Sequence, residues 1–322
     1  MNSRYNRLFN NPTYFRWGFM ILMLFGIILN GFILTNETNF YVLYIFSSIF
    51  LGIGFYNLPT WSIVFLTAIV VSCRFFLIPE TSHNLETFLA YLFTYLLITF
   101  ISVGLMKNAQ KVREDNLALT KALANALDSR DTYTLHHSEN VTRYAVEIAK
   151  KMNLSKDMCN TIRIGGLLHD IGKIGIPENI LNKPDKLTDD EYSIIKLHPT
   201  IGYEMIKHIT TFKDNGVLDI VLYHHERYDG TGYPIGLKGD QIPLAARIVA
   251  VADTFDAMSS KRVYRNELDL EYILNEIRRN KGSQFDPRIV DIFLSLFEHE
   301  GQVTKEKSYK FIMDLKMENA WE

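Results

Sequence analysis

Four long apolar runs, all before residue 107, constrain this chain more than any other feature: "GFMILMLFGIILNGFILT" from Gly18, "FYVLYIFSSIFLGIGF" from Phe40, "WSIVFLTAIVVSCRFFL" from Trp61 and "TFLAYLFTYLLITFISVGLM" from Thr87. Each is near the roughly 17 to 25 residues that an α-helix needs to cross a hydrocarbon core. A cleaved leader would end after one such run, so the pattern predicts a module of four transmembrane helices over residues 1–106. The overall composition, 48% hydrophobic and 22% charged, looks globular. That average joins a half suited to lipid to a half suited to water, since histidines, acids and lysines concentrate after residue 107.

Basic residues set the expected orientation. Arg4, Arg7 and Arg16 precede the first run, Lys107, Lys111 and Arg113 follow the last, and the stretch around Asn36 and Glu37 has neither Lys nor Arg. The positive-inside rule then places both termini in the cytoplasm, as an even number of spans requires. Arg74, near the outer end of the third run, is expected to snorkel to the interface. The two cysteines, Cys73 and Cys159, form no C-x-x-C pair, so neither a disulfide framework nor a zinc ribbon is indicated. A formal net charge of -2 lacks the basic excess of a nucleic-acid binder.

Residues 107–128, "KNAQKVREDNLALTKALANALD", are rich in helix formers and contain no Gly or Pro. Val112, Leu119 and Ala126 recur every seven residues, with Asn116 and Leu123 four places after the first two. That spacing predicts a short coiled-coil seam and hence a parallel homodimer through a signalling helix. From 129 to 300 the pattern is helical almost throughout. Val141, Tyr144, Ala145 and Ile148 mark one buried face, Thr188 to Glu191 form a capping box, and Pro199 ends or restarts the next helix. "ARIVAVADTFDAM" reads as a buried helix and "DGTGYPIGLKGDQIP" as loop. No strand ladder is evident, so the soluble half is expected to be all-α, with 301–322 as a tail.

Seven of the nine histidines lie between His136 and His225. Asp170 follows His169 directly within "GGLLHDIGKIGIP", and Asp253 interrupts "IVAVADTF". A carboxylate in such apolar surroundings is costly unless a cation or strong donors compensate it, and a metal is the simplest compensation. Imidazoles and carboxylates spread over several helices are how a helical domain holds metal in its core. Without clustered Cys, the expected ions are harder and six-coordinate, iron or manganese rather than structural zinc.

The paired His169-Asp170 with "DIGK", the segment "HHERYDGTGYP" and the helix "VADTFDAM" resemble the HD-GYP subgroup of the HD phosphohydrolase superfamily, over roughly residues 120 to 300. The resemblance implies a cytoplasmic HD-domain helical bundle with two metals. It implies His137, His169 and Asp253 on one ion, His198, His224 and His225 on the other, and Asp170 across both. It also places Lys173 in the active site beside Asp170, makes Gly230, Gly232, Tyr233 and Pro234 the signature loop, and gives Arg262 and Arg265 to substrate phosphate. The implied reaction is hydrolysis of cyclic di-GMP to pGpG, GMP or both, by a bacterial membrane enzyme.

The chain departs from the family pattern at three places. His136 stands where glycine is usual, Asn140 where a basic residue is common, and Tyr133 where some relatives carry an acid for a third metal, so two ions are expected. The rival expectation is a membrane receptor that binds cyclic di-GMP or a partner without turnover. The complete ligand set argues against that rival. A further alternative keeps the enzyme but changes the substrate to another cyclic dinucleotide or a nucleotide.

Overall fold

In the computed structural model, the structure describes residues 11–33, 40–78, 84–130, 136–260, 268–299 and 302–303. The fold is all-α. Contacts divide the chain into two compact units, Met1–Asn116 and Leu117–Glu322.

The first unit is built from α1 (Pro12–Ile28), extended by a π-helical turn over Leu29–Ile33, α2 (Val42–Gly54), α3 (Thr60–Leu77) and α4, which begins at Leu85 and runs unbroken to Asp128. Its core gathers Phe19, Met23, Tyr44, Leu51, Val70 and Tyr95. Gly52 lets α2 meet α4 closely, because a Cβ there would lie 2.6 Å from the Thr99 carbonyl oxygen. Small residues at such crossings are how apolar helices approach one another without a hydrophobic driving force.

Helices form at all four apolar runs, and among the described residues three are long and apolar enough to cross a membrane. The second, α2, has 13 residues, about 20 Å of helix, where a span was expected. At its end the Gly54 carbonyl accepts a hydrogen bond from Arg16 Nε at 2.8 Å, and the chain then turns through Asn57 and Leu58 into Pro59. Arg74 also departs from simple snorkelling. Its guanidinium lies 3.6 Å from the Tyr91 ring centroid and 5.6 Å from those of Tyr41 and Tyr95, so aromatic faces hold the charge.

The second unit follows with α5 (His137–Lys151), α6 (Lys156–Leu168), a 3-10 turn (Ile171–Gly175), α7 (Glu178–Leu181), α8 (Asp189–Ile195), α9 (His198–Ile206), α10 (Thr210–Asn215) and α11 (Val217–Tyr223). After a loop containing a 3-10 turn at Gly239–Gln241 come α12 (Leu244–Ser259), α13 (Leu270–Arg279) and α14 (Pro287–Ser295). The only ladder among the described residues is a two-residue antiparallel pair, Glu298–His299 with Gln302–Val303, which crosses the boundary expected at residue 300.

Helix ends follow local chemistry. Thr188 and Glu191 make the reciprocal capping box, and Pro199 falls in the first turn of α9, so it restarts the helix. The face of Val141, Tyr144, Ala145 and Ile148 is buried against α12, whose Val249, Ala252 and Phe255 are also buried. A smaller cluster of Leu168, Ile171, Ile206, Val217 and Val221 packs the α6, α9 and α11 side.

His136 explains one departure from the family pattern. It is left-handed, with φ 64° and ψ 9°, a conformation that costs a side-chain-bearing residue about 1 kcal/mol and glycine almost nothing. His136→Gly should therefore raise stability by up to ~1 kcal/mol, or ~2–4 °C in the melting temperature of a domain this size. A thermal melt of the purified chain checks this, and a lowered melting temperature contradicts it.

Candidate active site

Six of the seven expected metal ligands sit where a helix starts or stops. His137 and His198 are the first residues of α5 and α9, His169 and His224 end α6 and α11, Asp170 opens the 3-10 turn, and His225 follows His224. Asp253 alone lies within a helix, α12. Ends place the doublet well, because consecutive residues inside a helix diverge by about 100°. Two glycines let these ends meet. A Cβ on Gly172 would lie 1.8 Å from the His198 carbonyl oxygen, and one on Gly232 would lie 2.3 Å from the Arg227 amide nitrogen.

All seven side chains come together, as two groups whose donor atoms lie within 4.8 Å of one another: Asp170, His198, His224 and His225 in one, and His137, His169 and Asp253 in the other. Asp170 faces both. Its Oδ1 is 3.2 Å from His198 Nε2 and 4.0 Å from His224 Nε2, while its Oδ2 is 3.2 Å from His169 Nε2 and 3.8 Å from His137 Nε2.

The imidazoles are oriented from behind. Nδ1 of His169 is 2.7 Å from the Gly166 carbonyl, that of His198 2.8 Å from Ile195, and that of His224 3.0 Å from Val221. A nitrogen facing a carbonyl must donate, which puts a proton on Nδ1 and makes Nε2 the inward atom, a ligand whenever the ring is neutral. Nε2 of His198 and His224 then face each other at 3.3 Å, two acceptors with no proton between them. Among the described residues, the buried Nε2 of His169 meets no polar partner apart from Asp170 Oδ2, at 3.2 Å. Converging lone pairs around a carboxylate are unfavourable alone and suit a divalent cation, and the imidazole and carboxylate donors fit one without thiolate.

Further residues hold this arrangement and were not singled out from sequence. Asp256, buried one turn after Asp253 on α12, sets its Oδ2 2.7 Å from His137 Nδ1. The i, i+3 spacing of the two acids in "DTFD" was the available signal. Glu226, buried beside the histidine doublet, accepts backbone N–H bonds from Ile235, Gly236 and Leu237 at 2.8 to 3.1 Å and so folds the loop back.

That loop carries the cis Tyr233–Pro234 bond, and the Tyr233 ring lies on His225 with centroids 4.8 Å apart. Lys173 Nζ is 2.7 Å from Asp170 Oδ2. Gly230 sits on the same loop at φ 89°. Arg262, Arg265 and Tyr133 lie outside the described residues.

Electrostatics differ between the groups. Burial disfavours a charged His137, but hydrogen bonds to Asp253 and Asp256 outweigh it and push its pKa up to about 10. His169 is also raised, because Asp170 outweighs the opposing effect of burial. Burial pushes His225 down to about 3, helped by His198, and holds His224 well below the usual imidazole value. Burial opposes ionisation of Asp170, yet Lys173 and His169 keep it ionised.

At neutral pH a cation entering the His137 group must therefore displace protons, whereas one binding His224 and His225 displaces none from those two rings. Calorimetry of Mn²⁺ binding in buffers of different ionisation enthalpy should show release of at least one proton at pH 7. Affinity at the first group should fall as pH drops below about 10, by about tenfold per pH unit for each proton displaced. Binding without proton release contradicts this assignment.

A family profile described as HD domain matches residues 117–289. The chain is 43% identical over 191 residues to "Cyclic di-GMP phosphodiesterase response regulator RpfG" of Xanthomonas campestris, covering 59% of this chain and 50% of that protein. It is 43% identical over 184 residues to a "Cyclic di-GMP phosphodiesterase" of Thermotoga maritima, covering 57% and 50%. It is 36% identical over 197 residues to "3'3'-cGAMP-specific phosphodiesterase 2" of Vibrio cholerae, covering 61% and 37%. The chain spans half the length or less of these relatives. With more than half of its residues matched and the HD and GYP motifs in place, the chain belongs to the HD domain family, in its HD-GYP subgroup.

Proposed function

We propose that this chain is a membrane-bound, metal-dependent phosphodiesterase that hydrolyses cyclic di-GMP to pGpG, GMP or both. The observation that carries the reading is the convergence of four imidazole Nε2 atoms, those of His137, His169, His198 and His224, on the two oxygens of a single buried carboxylate, Asp170. Two ions, iron or manganese, would be held by His137, His169 and Asp253 on one side and His198, His224 and His225 on the other, with Asp170 shared. The chemistry supplied at such a centre is Lewis-acidic: it brings the pKa of water towards neutrality and offsets charge building on phosphorus.

The protein's own groups bind and orient. Lys173, held at Asp170, places a phosphate oxygen or protonates the leaving oxygen. Gly232, Tyr233 and Pro234 form the substrate-facing loop, with the Tyr233 ring as a stacking face for a base. Arg262 and Arg265 bind a second phosphate. A second reading, in which the substrate is 3'3'-cGAMP, is favoured by the likeness to a relative of that name.

The remaining organisation follows the same proposal. Large apolar side chains such as Trp17, Phe76 and Phe93 face outward from the first unit, as lipid favours. With α2 counted as a short fourth span, the N-terminus and the catalytic domain share the cytoplasmic side. Val112, Asn116, Leu119, Leu123 and Ala126 are all exposed along one stripe of α4, whereas Ala124 and Leu127 are buried. The exposed stripe is the seam expected to pair two copies through residues 107–128.

The test is the full chain in detergent, loaded anaerobically with iron or manganese, with products from cyclic di-GMP and from 3'3'-cGAMP separated by chromatography. Asp170→Asn should lower turnover by more than the ~10–100-fold typical of losing an outer-shell partner. Turnover that survives this substitution sinks the metal mechanism, and binding without turnover in the parent supports the receptor reading instead.

A further inference from the structure

The two chain segments that present His137 and Lys173 both begin or end without caps of their own. His136, at the start of α5, makes no side-chain capping bond, and the 3-10 turn over Ile171–Gly175 presents the carbonyls of Lys173, Ile174 and Ile176 at its far end. Helix ends leave amides and carbonyls that need partners. Both sets find them at one place, the C-terminal end of α4.

Asp128, the last residue of α4 and itself buried, accepts from the Ser138 backbone amide at 3.0 Å and from the Ser138 hydroxyl at 2.8 Å. It does the work of an N-cap for α5 from ten residues upstream. Ser138 adjoins His137. Two residues beyond Asp128, Arg130 spreads its guanidinium over the far end of the 3-10 turn, donating to the carbonyls of Ile174 at 2.6 Å, Ile176 at 3.1 Å and Lys173 at 3.3 Å. Arg130 is fixed in turn, because its own carbonyl accepts from Asn182 Nδ2 at 3.1 Å. About two turns back from Asp128 on α4, Lys121 pairs with Glu139 at 3.2 Å, two residues from His137.

We propose that Asp128 and Arg130 are positioning residues, which set His137 and the Asp170–Lys173 turn relative to each other from the end of a single helix. A planar fork suits Arg130, since it meets three carbonyls at once where an ammonium offers a point charge. A small displacement or rotation of the end of α4 then acts on both halves of the site together. The inference rests on the reading that His137 and Lys173 serve the proposed reaction.

The experiment compares the full chain in detergent with Asp128→Ala, Asp128→Asn, Arg130→Gln and Arg130→Lys. Three readouts are taken: Mn²⁺ dissociation constant, amide hydrogen exchange by segment, and kcat and KM on cyclic di-GMP. Asp128→Ala should weaken Mn²⁺ binding by about 10–100-fold, with Asp128→Asn intermediate because one acceptor oxygen remains. Arg130→Gln should speed exchange at residues 172–176 and lower kcat about 10–100-fold, with partial recovery in Arg130→Lys, while exchange in residues 244–295 stays at the parent level.

The proposal is overturned if the variants keep the parent's metal affinity and kcat. Exchange rising equally through residues 244–295 also overturns it, since that marks a general stabiliser of the fold. A parent that binds Mn²⁺ without turning over substrate removes the proposed function, and the metal-affinity and exchange measurements then decide the positioning role by themselves.

Discussion

A carboxylate placed among inward-facing imidazole lone pairs is the constraint on which the rest of the second unit depends. Asp170 is buried, and its Oδ1 faces the Nε2 atoms of His198 and His224, which are acceptors once their Nδ1 protons are committed to backbone carbonyls. Such an arrangement is expensive in a low dielectric unless positive charge enters it. The helices around it, packed through the apolar faces of α5 and α12, hold the donors together against that cost. In the protein alone, Lys173 and a protonated His137 supply the positive charge that a cation would bring.

The seven side chains gathered around Asp170 could be singled out in the sequence partly through the family resemblance and partly because they are chemically conspicuous. Histidines clustered in an acidic chain, and aspartates set in runs of leucine, isoleucine and valine, have few structural uses. The all-α character of the soluble half was legible for a similar reason, since its apolar positions repeat with helical period over long windows. The capping box at Thr188 was readable because its two partners are three residues apart.

What escaped the sequence is mostly hydrogen bonding to backbone across long separations. Asp128 and Ser138 are ten residues apart, and Arg130 reaches carbonyls more than forty residues on. No periodicity encodes such contacts. Glu226 was in plain view beside the histidine doublet, but its partners become visible only once the loop has folded back onto it. The length of the second helix was not readable either: composition reports what lipid tolerates, while the arginine on another helix that meets the Gly54 carbonyl at the end of α2 shows only in the fold.

The near contact between Gly172 and the start of α9 bears on how such a centre drifts over many substitutions. There the main chain of one segment rests on the main chain of another, and only hydrogen separates them. The gap between Asp170 and His198 is therefore set by polypeptide thickness, not by the volumes of the surrounding aliphatic residues. Exchanges among Leu168, Ile206 and Val221 can loosen or tighten the domain while leaving the spacing of its donor atoms as it was, so the interior can diversify freely around an invariant gauge.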